Sequence, residues 1–92
     1  MSEETTNHFD FYRKAKSHEA NGRYDEALSA YSKAIQINNE YAHAWFYKAK
    51  LHYQLGQYKE CIDCAEHALK LAPDWSDHCN RMLADARSRV IS

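Results

Sequence analysis

The sequence predicts an all-α fold made of two helix–turn–helix units closed by a fifth helix. Three observations point there. First, residues 8–41 align with 42–75 without a gap, keeping eight identities that include Ala15/Ala49, His18/His52, Gly22/Gly56 and Tyr24/Tyr58. Second, the 92 residues contain two glycines and one proline, and the glycines, Gly22 and Gly56, fall at the same place in each unit. So few breakers favour helix over a loop-rich chain. Third, the apolar residues recur at helical spacing on either side of each glycine.

Taken in order, residues 1–7 are a polar leader, with Asn7 placed to cap the first helix. His8 to Asn21 reads as an amphipathic helix around Phe11, Tyr12 and Ala15, ended by Gly22 in a left-handed conformation. After a turn at Arg23-Tyr24, Asp25 places an acid at the start of the second helix, whose apolar face runs from Ala27 to Ile37. The pattern restarts with Ala42 to Leu55, a turn at Gly56-Gln57-Tyr58, and Lys59 to Leu71, stopped by Pro73. Trp75 to Ile91 is the fifth helix, capped by Asp74 or Ser76, with Met82, Leu83, Ala86 and Val90 as its apolar stripe. The domain reading is one unit over 8–91: repeat 8–41, repeat 42–75 and a capping helix 75–91. Neither repeat can bury its apolar face alone, so the units must stack.

Composition narrows the function classes. A net charge of −1 with no long like-charged run argues against nucleic acid or an anionic membrane as partner. No apolar stretch reaches the ~18–20 residues needed to span a bilayer. The acidic start is unlike a secretory leader, and three cysteines do not make a disulfide framework, so a reducing cytoplasm is the expected setting. The pair Cys61 and Cys64 has redox or metal spacing, yet it falls inside a helix, at positions where the first unit has Ala27 and Ala30. Packing explains both cysteines, since free Cys behaves as a small apolar residue. Cys79 aligns with Phe11 and Trp45 and is expected to pack likewise. His18 and His52 are repeat-equivalent and suggest inter-helix hydrogen bonding. With no paired histidines on one helix, no glycine-rich phosphate loop and no nucleophile motif, the chain is read as non-enzymatic, without metal or cofactor.

A 34-residue helix–turn–helix period with Trp45, Ala49, Cys61, Ala68 and Pro73 in one unit, and Phe11, Ala15, Ala27, Tyr31 and Ala34 in the other, resembles the tetratricopeptide repeat. The chain departs from that pattern at Lys14 and Lys48, at His18 and His52, at Ala65 and at Asn39. The resemblance implies a right-handed α-solenoid whose first helices line a concave groove. It also implies a protein-interaction module: an adaptor, co-chaperone or scaffold subunit. Charge is divided accordingly: 8–22 and 42–56 together carry +3, and 23–40 and 57–74 together carry −3. The groove residues that the resemblance implies are Phe9, Tyr12, Arg13, Lys16 and Glu19, then His43, Phe46, Tyr47, Lys50 and Tyr53. A carboxylate-clamping subset of the family has counterparts here at Tyr12, Lys16, Tyr47, Asp77 and Arg81. Only Arg81 keeps residue type and place, so that clamp is expected to be missing. The expected ligand is an acidic, partly apolar peptide or helix of another protein. The alternatives are a self-associating oligomeriser using exposed repeat ends and, further off, a Cys/His redox or metal sensor.

Overall fold

The computed structural model describes residues 7–91 and contains α1 (His8–Ala20), α2 (Tyr24–Ile37), α3 (Ala42–Gln54), α4 (Tyr58–Leu71) and α5 (Ser76–Ile91). A 3-10 turn, Pro73–Trp75, leads directly into α5. Among the described residues there is no strand, so the fold is all-α, helix–turn–helix in series. All of the expected polar leader except Asn7 lies outside the described residues.

Local chemistry accounts for the helix ends. The Asn7 side chain accepts from the Asp10 N–H at 3.1 Å, and the Asp10 carboxylate accepts from the Asn7 N–H at 3.3 Å. This reciprocal box satisfies two donors that the first helical turn leaves unpaired. Gly22 and Gly56 have φ of +77° and +78°. After each, the next N–H reaches back over the helix end: Arg23 to the His18 carbonyl and Gln57 to the His52 carbonyl, both at 2.8 Å. Only glycine reaches this geometry at low cost. The second helix of each unit starts one residue earlier than expected, at Tyr24 and Tyr58. Arg23 and Gln57 occupy the cap positions without a side-chain cap bond. Asp25 is therefore not a cap; with Glu26 it sits in the first turn, where its charge meets the helix dipole.

Small residues let the helices approach closely. Ala15, Ala27, Ala34, Ala49, Cys61 and Ala68 are all fully buried. One buried cluster joins Ala15, Ala27, Ala30 and Tyr31 to Leu51, so α3 reaches into the first unit. A second joins Ala49, Cys61, Cys64 and Ala65 to Leu83 and Ala86 of α5. Where the first unit fills its centre with Tyr31, the second has Ala65, and α5 supplies the missing volume. Trp45 is not central to this core. It is half-buried, stacks on the exposed ring of His67 at 4.2 Å and donates from Nε1 to the Asn39 carbonyl at 2.9 Å.

The fifth helix begins one repeat length after α3, Ser76 against Ala42. Cys79, Leu83 and Ala86 are buried. One repeat back stand Trp45, Ala49 and His52, of which Ala49 and His52 are buried too. Leu83 and Ala86 pack onto α3 and α4 of the unit before them, while Val90, expected on the same stripe, is exposed. The way into the helix differs too. Tyr41 leads into α3 in an extended conformation, whereas Ser76 is already helical as it leaves the 3-10 turn. That turn replaces the expected side-chain cap at Asp74 or Ser76. Cys79 is buried as expected.

Candidate functional site

The shared face of α1, α3 and α5 carries a closed circuit of rings. Tyr12 lies 5.4 Å from Tyr41 and 5.9 Å from Tyr47 between centroids. Tyr47 contacts Phe46 at 5.3 Å, and Phe46 contacts Trp75 at 5.7 Å. His43 closes the circuit, 4.8 Å from Trp75 and stacked 5.2 Å from Tyr41. Phe9 extends it outward through an edge contact with Tyr41 at 5.3 Å. Such edge and offset contacts hold large apolar faces in place at low entropic cost. Burial, with Tyr47, Tyr41 and Glu19 nearby, pushes the Tyr12 hydroxyl up to about 12, so it stays a neutral donor at neutral pH.

Cations sit over these rings. The Lys16 ammonium lies 3.7 Å from the centroid of the Tyr47 ring, and the Lys50 ammonium lies 5.8 Å from the same centroid. A ring face attracts a cation without cancelling its charge. His43, Phe46, Tyr47, Lys50, Trp75 and His78 line a cleft of about 350 Å³. A second cleft of about 330 Å³ adjoins it, sharing Phe46, Lys50 and His78 and adding Tyr53, Arg81 and Met82. No carboxylate lines either one.

The remaining expected residues divide. Arg13 is paired with Asp10 at 2.5 Å, and its charge reaches the Tyr41 hydroxyl of the ring circuit. Glu19 accepts from the buried Tyr31 hydroxyl at 2.7 Å, which commits that carboxylate to holding α1 on α2. Tyr53 donates to Asp85 at 2.5 Å, joining α3 to α5. That bond raises the Tyr53 hydroxyl and, with Arg89, holds the Asp85 carboxyl below its usual range. Tyr41, Trp75, His78 and Met82 belong to this face and were not among the expected residues. A signal for the first two existed: they are an aromatic pair, one in the link after each unit, at equivalent positions.

The cysteines behave as packing groups. Burial pushes the Cys61 and Cys64 thiols up to about 11, and the Cys79 thiol also upward. Thiolate chemistry needs the opposite shift. His52 Nδ1 pairs with Gln57 Oε1 at 2.7 Å, a bond within one turn of chain, not between helices. Arg23 stands where a His18 counterpart would need Gln57, so the two histidines are not equivalent in role. No helix among the described residues is long and apolar enough to cross a membrane.

The architecture is that of a helical-repeat protein with a ring-lined face on its first helices. Residues 19–86 match the family model described as tetratricopeptide repeat, and the chain belongs to that family. Its members generally mediate protein–protein interactions, and their fold is typically a non-enzymatic interaction module. An uncharacterised protein of Methanocaldococcus jannaschii, MJ0572, is 37% identical over 54 residues, which is 59% of this chain and 63% of that protein. The crystal structure of MamA protein shares the fold with a TM-score of 0.78 and 17% identity, over 95% of this chain and 52% of MamA. The chain thus spans under two-thirds of the length of MJ0572 and about half that of MamA.

Proposed function

We propose that residues 8–91 act as one cytoplasmic binding unit, two repeats plus a capping helix, that holds an acidic, partly apolar segment of another protein. The role is that of an adaptor, co-chaperone or scaffold subunit. The observation that carries this reading is the pair of adjoining clefts on α3 and α5, walled by rings, edged by Lys50 and Arg81 and lined by no carboxylate. Aromatic walls offer apolar contact, and cations that share a cleft with no carboxylate select an acidic partner. Exposed charges are screened beyond roughly 8–10 Å at near-physiological ionic strength. Binding should therefore weaken as salt rises.

The test is a titration of acidic, aromatic-containing peptides against the chain and against Lys16→Glu/Lys50→Glu. The expected result is salt-dependent binding that the double variant loses while keeping its helical circular dichroism. Unchanged affinity in the variant would place the interface elsewhere. A mass that rises with concentration, with no peptide bound, would favour self-association through the repeat ends.

A further inference from the structure

Three of the protein's six histidines gather at the ring-lined face: His8, His43 and His78. The other three stand elsewhere. His52 pairs with Gln57, His67 donates to the Asp63 carbonyl and stacks on Trp45, and His18 lines a cleft with Phe11 and Lys33. His8 touches Tyr41 but lines neither of the adjoining clefts. His43, on α3, and His78, on α5, line one cleft together with Lys50 and Trp75. Both rings are exposed, and among the described residues neither makes a hydrogen bond.

The groups around these two rings bear on any change in their charge. From α1, Tyr12 lies 6.2 Å from His43. Tyr41 stacks on His43 at 5.2 Å, and Trp75 meets it edge-on at 4.8 Å. Burial pushes the Tyr12 hydroxyl up to about 12 and the Tyr41 hydroxyl upward as well, so neither releases a proton near neutral pH. Lys50 and Arg81 are the cations that share a cleft with His78, and Arg13 acts on Tyr41. Of the acids near this face, Glu19 accepts from Tyr31 and Asp85 from Tyr53. Asp74 and Asp77 stand close to His78 in sequence but line neither cleft.

A neutral imidazole carries one N–H donor and one acceptor nitrogen, whereas an imidazolium carries two donors and a charge. An ionised carboxylate only accepts, so the acceptor nitrogen turns it away and the second N–H welcomes it. An opposite charge nearby also favours the protonated ring. Histidine makes this change between about pH 5 and 8.

We infer that binding at this face is linked to protons: His43 and His78 each take one up as an acidic segment enters. This rests on the groove reading proposed above and adds its regulation. The coupling is reciprocal, so the segment tightens the hold of both rings on their protons by the factor through which protonation tightens the segment. Binding raises the proton affinity of the rings. The gain is therefore fully present below the range of the free rings and is lost as pH rises through the range of the bound ones.

The test uses the full chain and a fluorescent peptide of alternating glutamate and phenylalanine, titrated at about pH 6, 7 and 8 and one ionic strength. Glutamate keeps its charge throughout that range. Exposed charge pairs contribute little each, so two should make binding about three- to tenfold tighter at the lowest pH than at the highest. His43→Gln/His78→Gln should lose this pH dependence, whatever its affinity at the highest pH. His18→Gln should keep it. The ring signals of His43 and His78 in NMR spectra should titrate at higher pH with the peptide than without it. Affinity that is flat across pH in the parent chain, with salt dependence and Lys50→Glu sensitivity intact, would overturn the proton linkage and leave the groove standing. A pH dependence that survives in the double variant would overturn it too, since other groups would then carry the protons. Absence of binding at every pH, or binding indifferent to Lys50→Glu, would overturn both readings.

Discussion

At the scale of single residues, the two glycines have a role that no neighbour shares. Nothing lies within 4 Å of where a Cβ would stand on Gly22 or Gly56. A side chain there meets no clash, and its whole cost is conformational. Holding an L-residue in the left-handed region costs about 1–2 kcal/mol, and a β-branched side chain sits at the upper end. Gly22→Val and Gly56→Val should therefore each lower stability by about that amount in urea unfolding followed by circular dichroism. Sensitivity at only one position would show that the two turns are not equivalent. These positions were legible in the sequence because glycine has few other reasons to recur at a fixed interval in a helical chain. Trp45 was less legible. A large aromatic in a repeat motif suggests a core anchor, yet here it bridges the unit boundary, half-buried on His67. Its size announces a packing role but not its depth.

At the scale of elements, the five helices and their order follow from spacing, glycines and the one proline, and the structure has them to within a residue or two at each end. The depth of the α5 stripe does not follow from them: Cys79, Leu83 and Ala86 are buried, while Val90, on the same expected stripe, is exposed. Cys79→Trp should overpack a fully buried position and destabilise by about 1–3 kcal/mol or more. Leu83→Ala should cost about 2–5 kcal/mol, since Leu83 is almost fully buried. Both are read from urea midpoints. Stability retained in Cys79→Trp would mean that this position is not in the core. Part of the site was hidden as well: its α3 residues were legible from the repeat, but nothing in the spacing singled out His78 and Met82.

At the scale of the whole molecule, the core is narrow and built largely from small side chains, within a body of 51 × 28 × 17 Å. Three of its buried groups are thiols, and their burial makes stability depend on pH in a definite direction. An ordinary thiol titrates near 8.5, and in the folded protein Cys61 and Cys64 are pushed up to about 11. Below about pH 8 both folded and unfolded chains keep these protons, and the contribution is fully present. As pH rises past about 8.5 the unfolded chain releases them first. The folded state then loses up to about 1.4 kcal/mol per pH unit for each thiol, until the folded value is passed. Tyr31, also raised by burial and by its bond to Glu19, adds to the loss once ordinary tyrosine titrates, near pH 10. The urea midpoint should fall steadily between about pH 8.5 and pH 10, ahead of the tyrosine range. Cys61→Ala/Cys64→Ala should remove most of that early fall, leaving the part that the buried Cys79 thiol contributes. The double variant should fold, because the first unit already carries Ala27 and Ala30 at the equivalent places, both buried. A midpoint that stays flat to about pH 10 in the parent chain, or falls equally in the double variant, would mean the two thiols do not sit in the core. It would also reopen a thiolate role for that pair.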